Sequence, residues 1–560
     1  MSMRSTFHGL NIANMGLFTA QKQIDVSSHN VSNTNTVGFS RQRFVTSAVD
    51  PAGYLNQFAP MGRGQVGGGV GTLSLDQIRD RFLDMQYRTE SAKSSYWSTR
   101  SETMYYVEDI FNGVDSAGLD TIMSEFANSL QELSKNPTDE AIRTNVVAQA
   151  KKMIDAFHMY HDQLSELMTQ QNSNMVQQAK HVNEILGNIA SLNNNIQKFE
   201  LGGSVANDLR DQRNLLLDEL STFMDITYTE VSHDPPVFNI YGIELTQLNV
   251  YVGVNSGEDY ADRLLVTHDI AGRLDYGVDE NDEVETTYDD NEVANANEII
   301  LNGLSIVSPD ETSTDFYDLI NDEESGLRNG ILLSYLNLRD GTGIEDQPQG
   351  IPYFITQLDA MVAKLVEEFN NIHSNGYTAP FTNPNGDDSS HSGVNFFDAE
   401  GLTAKTIALD AEILMSAFNI AASGVDLDGL VYDETVTMDP DGHANTGNNL
   451  NALELYKVLR GTTEDQQLEE GDDSFEGFFK NFLGNLASEV ALSNNMRDAQ
   501  EVLLTSIDTQ RLSIMSVSED EEMSDLIRFQ HAYNASARCI TTMDEALDKL
   551  INGTGRVGLV

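Results

Sequence analysis

What this sequence has least of is positive charge. Thirty-three Lys and Arg stand against 87 Asp and Glu in 560 residues, a formal charge of −54. So acidic a chain repels phosphate and anionic headgroups, which argues against nucleic acid or a membrane surface as partner and favours solubility. From Leu274 to Leu327 there is no basic residue at all, so that stretch is expected to form a solvated outward face. Cysteine is nearly absent too. Cys539 stands alone, which rules out an intramolecular disulfide, and its place in a heptad-like run predicts a small packed side chain rather than a nucleophile. No stretch approaches the ~20 apolar residues of a membrane span, and Met1 to Gly16 holds no hydrophobic signal core.

Catalytic signatures are missing as well. No G-x-S-x-G, H-E-x-x-H or G-x-x-x-x-G-K-[ST] pattern occurs. Gly62 to Gly67 spells G-x-G-x-x-G, but it follows Pro60-Met61 rather than a strand and runs into further glycines, which suits a hinge better than a phosphate cradle. His158 and His161 lie three apart, where helical metal pairs are usually four apart, so packed or partly exposed side chains are expected there and at His181. Asp439-Pro440-Asp441-Gly442 begins like a calcium loop, yet Ala444 stands where that loop needs glycine. Carboxylate pairs are too numerous for any two to be singled out. The expectation is a chain that is not an enzyme and carries neither cofactor nor metal site; weak calcium binding by acidic loops needs no motif and stays open.

What is present is helical periodicity. Leu10, Ala13, Leu17, Ala20, Ile24, Ser27 and Val31 recur at spacings of three and four. Met523, Leu526, Gln530, Tyr533, Ala537, Ile540, Asp544, Leu547 and Ile551 keep the same beat near the other end. A repeat averaging about 3.5 residues lies along one seam of a helix, and such a seam is buried only against another helix. The two ends are therefore expected to meet. A longer alternation runs from near Glu140 through Ile154, Leu164, Val182, Ile189 and Phe199 until Gly202-Gly203, and Asn207 to Ser221 begins another amphipathic segment. Between Phe223 and Ser325 short apolar runs alternate with acidic turns, as strands do.

The expected fold class is mainly α with β-rich insertions: a long coiled-coil-like stalk formed by both chain ends, with β-rich domains facing outward. Residues 1–75 with 500–560 make a terminal helical core region, expected to be disordered in the free monomer because isolated amphipathic helices are marginal in water. Residues 76–222 with 326–375 and 451–499 make a long-helix bundle, 223–325 an acidic β-rich outer domain, and 376–450 a second small mixed insertion.

Ser28-His29-Asn30-Val31-Ser32-Asn33 followed by Thr36-Val37-Gly38-Phe39-Ser40 resembles the N-terminal signature of bacterial flagellar rod, hook and hook-associated proteins, which typically reads S-x-N-I-A-N then T-P-G-Y. Val37 in place of proline loses a backbone constraint but keeps the turn. Gly67 to Arg88 is similar to the segment that follows it in that family. Ala206 to Ser221, Phe369 to Gly376, Gly447 to Leu453 and Asp525 to Leu547 narrow the resemblance to the hook-associated branch at the hook–filament junction.

The resemblance implies a structural protein without catalytic residues, exported through the flagellar type III channel without a cleaved signal and assembled outside the cell. Its implied partners are further copies of itself in a ring, the hook protein, the second junction protein and an export chaperone at the C-terminal helices. Leu10, Leu17, Ile24, Val31, Leu526, Tyr533, Ile540 and Leu547 are the implied subunit-assembly positions, and Asn30, Asn33, Gly38 and Phe39 the signature turn. Three rival readings stay open: another axial protein of hook or rod type, a glycan-acting enzyme, and an adhesive module in the acidic middle.

Overall fold

The computed structural model describes residues 7–49, 67–112, 118–233, 235–252, 264–267, 269–275, 305–307, 317–318, 327–344, 347–378, 381–382, 388–389, 392–424, 448–460 and 475–554. Its helices are α1 (Phe7–Ser32), α2 (Arg81–Asn112), α3 (Leu119–Lys135), α4 (Glu140–Leu201), α5 (Asn207–Phe223), α6 (Ile331–Asp340), α7 (Ile351–Asn375), α8 (Ala411–Met415), α9 (Leu450–Arg460), α10 (Phe475–Met515) and α11 (Glu519–Thr554). The longer strands are β1 (Gln42–Val49), β2 (Gly69–Gln77), β3 (Ile226–Ser232), β4 (Thr246–Val252) and β5 (Leu264–Thr267). The chain is mainly helical with small sheets set into it, as its periodicity predicts. The Gly62–Val66 part of the glycine motif, the Asp439–Ala444 loop and most of the basic-free acidic stretch lie outside the described residues.

Local chemistry sets the helix limits. Asp139 caps α4 by accepting the Ala141 N–H at 2.8 Å, and the 62 residues that follow span about 93 Å at ~1.5 Å each. The helix stops at Gly202 and Gly203, the latter at φ +79°. Pro352 occupies the first turn of α7, where its missing N–H costs no bond. Glu519 to Glu522 open α11 and place negative charge at the positive end of the helix.

Two apolar cores share α4. Val146 to Leu167 face the first, with the ends of α2 and α10, α3, α7, α9 and the 394–422 segment. Met175 to Ala190 face the second, with α5, α6 and the sheet β3–β4–β5. Between them the inward positions turn polar: Gln171 and Asn172 are buried, and Arg339 donates to Asn172 Oδ1 at 2.9 Å. Arg100 completes this belt, donating to the Gln349 carbonyl at 2.9 Å and to Glu489 at 3.1 Å.

Cys539 is exposed on α11 rather than packed, because among the described residues it falls on the side of the helix turned away from α1. The histidines of α4 are structural. His158 meets the Ile407 carbonyl at 3.0 Å, His161 is half-buried, and His181 meets Glu219 at 3.0 Å.

Candidate assembly interface at the chain ends

Helices α1 and α11 pack along one another, and their glycines fix how. A Cβ at Gly9 would lie 2.7 Å from Met543 Cε, and one at Gly16 would lie 3.0 Å from Ser536 Oγ. Seven residues forward on α1 thus match seven back on α11. Fourteen more bring Asn30 to Glu522, joined at 3.2 Å. The helices form an antiparallel hairpin held in heptad register, with glycine allowing close approach at two of its levels.

The seam positions fall on this contact but do not fill it. Leu10, Leu17, Ile24, Val31, Leu526, Tyr533, Ile540 and Leu547 are each half-buried, whereas Ala20 and Ser27 are buried outright. Met523, Ile527 and Ile551 are exposed by more than half, as is Phe18 on the outer side of α1. A two-helix contact covers about one side of each helix, so much apolar surface remains open.

At its base the hairpin meets a polar collar built by the signature turn. Asn30 is buried and exchanges two bonds with the backbone of Gln42, donating to its carbonyl at 2.9 Å and accepting its N–H at 3.0 Å. Asn33 folds back on the His29 carbonyl at 3.0 Å and accepts Thr36 Oγ1 at 3.2 Å. Gly38 takes φ +79°, a conformation that favours glycine, and sits against Leu215. Phe39 packs edge-on to His29, centroids 5.5 Å apart. All four residues shape one bend that turns α1 into β1.

The collar is tied to α11 and to α5. Arg41 donates to Glu522 and Glu521, each at 2.7 Å, and its own N–H reaches the Met515 carbonyl at 2.9 Å. Burial works against the Arg41 cation, but these two carboxylates more than offset it and hold its pKa above the usual value. Asp211 of α5 accepts both the N–H and the hydroxyl of Ser40, at 3.0 and 2.6 Å. Its burial raises the carboxyl pKa against the pull of Ser40 and Arg79. Asp208 accepts Gln42 Nε2 at 2.8 Å, and Arg79 grips Asp84 with two bonds of 2.9 Å. Arg511 of α10 binds Asp218 at 2.7 Å and lies 3.8 Å over the Tyr87 ring.

Sequence reading singled out 30–42 and 206–221 separately; the fold places them against each other. It does the same with Phe369 to Gly376 and the described part of the second segment, Asn448 to Leu453. Asn370 accepts the N–H groups of Phe396 and Phe397 and donates to the Phe397 carbonyl. His373 lies 2.7 Å from the Val394 carbonyl and accepts the Ala421 N–H at 2.9 Å, which fixes a neutral ring protonated on Nδ1. Burial pushes its pKa down to about 4. Gly376 has no room for a Cβ beside Asn451, whose amide donates to the Ala421 carbonyl at 2.6 Å. Nothing in the spacing of these segments announces such pairings. The shared signal was that each is rich in Asn, His or Asp amid apolar residues.

A family model described as the flagellar hook-associated protein FlgK helical domain matches residues 104–397. A second, described as the flagellar basal body rod FlgEFG protein C-terminal, matches 509–553. The flagellar hook-associated protein 1 of Bacillus subtilis is 30% identical over 562 residues, covering 99% of each chain. That of Escherichia coli is 24% identical, covering 97% of this chain and 99% of its own. A solved structure described as the flagellar hook junction protein FlgK from Burkholderia pseudomallei covers 78% of this chain and 100% of that one at 14% identity, with a TM-score of 0.49, too loose a superposition to bear on the fold.

Proposed function

Because the chain belongs to the flagellar hook-associated protein 1 family, we propose that it is a structural subunit of the bacterial flagellum that joins hook to filament and lets the filament assemble. Its work is mechanical rather than catalytic. The observation that carries the reading is the terminal hairpin, a register-locked pair of helices whose eight seam residues are only half-buried in the single chain. Further copies, packed as a ring, would cover the remainder, with the hook protein on one side and the second junction protein on the other.

The route outside follows from the same reading: export through the flagellar channel without a cleaved signal, with a chaperone holding the region from Leu526 to Ile551. Exposed Ile527, Leu550 and Ile551 give such a chaperone its apolar grip. We divide the chain into the terminal hairpin with its collar, the long-helix bundle, and insertions at 223–325 and 376–450, whose β3–β4–β5 sheet and 394–422 segment complete the two cores that share α4. Deleting the gene tests the function. Cells should keep hooks, lose filaments and release unpolymerised flagellin; normal filaments on such cells would overturn it.

A further inference from the structure

Among the described residues, two largely apolar and uncharged surfaces stay exposed at separate places in the fold. The first is the tip of the loop joining β3 to β4. There Asn239 Oδ1 accepts the N–H groups of Tyr241 and Ile243 at 2.9 and 3.0 Å, Gly242 sits at φ +76°, and the Ile240 N–H reaches the Leu201 carbonyl at the end of α4. These bonds present Phe238, Ile240, Tyr241 and Ile243 to solvent, exposed by 54, 70, 72 and 62%. From Pro235 to Ile243 no residue is charged.

The second surface runs along α10. Leu492, Ala499, Leu503, Ser506, Gln510 and Ile514 recur at helical spacing, every one exposed and none charged, with Val502 beside them at 72%. Ser493, Ile507 and Met515 are the buried positions of the same helix, which packs on α2. The tip is anchored at the end of α4, whereas the seam lies on α10 beyond the part of that helix that shares the first core with α4, so the two surfaces are distinct patches of the subunit.

We propose that the Phe238–Ile243 tip of one copy seats on the exposed α10 seam of the next, head to tail around the ring. Contiguous apolar surface of this kind marks an interaction site. Two copies that each carry −54 repel one another least where uncharged surfaces meet, and the tip residues and the α10 seam positions are uncharged, with Asp498 and Glu501 at the seam's edge. A patch matched to a different patch elsewhere on the subunit repeats from copy to copy and can close a ring, whereas a self-complementary patch stops at two. The pairing deepens the reading of the chain as a ring-forming subunit and rests on it.

The test uses flagella assembled in cells from the full chain. With Tyr241 replaced by photoreactive benzoylphenylalanine, irradiation should yield adducts between two copies that map to residues 492–514, and the same probe at Val502 should map to residues 238–243. Adducts on another element or another protein, or none from flagella that contain the chain, overturn the pairing. Ile240→Asp and Val502→Asp change residues already open in the single chain. Each should leave helix content unchanged yet cut incorporation by at least about ten-fold, since each sets an unpaired carboxylate in an apolar contact; incorporation at the unsubstituted level by both also overturns it. Absence of the unsubstituted chain from flagella would sink the junction reading instead, so the two failures are distinguishable.

Discussion

The bundle and the terminal hairpin are made of the same kind of helix, yet one closes on itself and the other does not. In the bundle, Phe126, Phe157, Phe354 and Phe369 are fully buried, and polar groups such as His373 and Asn370 find partners inside the chain. In the hairpin the eight seam residues stay half-covered, and its fully buried polar contacts gather at one end, around Asn30 and Glu522. The bundle buries its apolar residues within the chain, while the hairpin leaves apolar surface open that, on the function proposed above, further copies would cover. On that proposal the same spacing of apolar residues would serve folding in one place and assembly in the other.

The sharpest way to break this contrast is a core deletion. Phe369→Ala should cost roughly 3–5 kcal/mol of bundle stability in the free chain, read by chemical denaturation, because its ring packs against Phe126, Phe396 and Phe397. A loss below about 1 kcal/mol would mean that the bundle is not self-sufficient.

Acid should act on the same region next. His373 titrates near 4 in the fold against 6.5 when unfolded, so the unfolded chain takes up its proton first as pH falls. The contribution is complete above pH 6.5 and drains away between 6.5 and 4, by about 3 kcal/mol. Denaturation midpoints across that window should fall for the parent chain and fall less for His373→Gln, compared at equal salt.

At the collar, Glu522→Ala should cost about 1–3 kcal/mol, because it strips both Arg41 and buried Asn30 of an acceptor. The loss should be read by amide exchange on α1 and α11 in assembled flagella and leave the bundle transition of the free chain in place. The smallest effect is expected on the seam. Leu526→Ala should lower free-chain stability by no more than about 1 kcal/mol, given its half-exposure, yet reduce incorporation into flagella clearly. In the free chain the amides of both terminal helices should exchange fast. Strong protection there would erase the contrast drawn above.

The hairpin was legible in the sequence because a 3–4 repeat survives every local accident, and Gly202-Gly203 marked the end of α4 for an equally local reason. The collar was not legible as a contact. Asn30 and Asp211 are distant in sequence, and each alone reads as an ordinary turn or helix polar residue. Gln171 keeps the 3–4 beat of the long helix, and nothing in that beat tells that it lies in the polar belt that parts two cores. Arg143 carries a charge near the start of α4, yet it is buried among the carbonyls of Pro137, Ala417, Phe418 and Ile420, and burial lowers its pKa to about 10. Periodicity reports how a helix faces a neighbour. It is silent about which polar groups that neighbour brings.

A two-helix ruler with equal marks every seven residues can be read one mark off. Sliding α1 by one heptad along α11 would keep apolar positions opposite apolar positions, so the seams alone leave several alignments close in energy. The buried amide removes the ambiguity. One slip would set Asn30 against Phe529, and the opposite slip would carry it past the first turn of α11. With Glu522 as its only matching mark, the pair indexes the two ends of the chain, and insertions of any length between them leave the index unchanged.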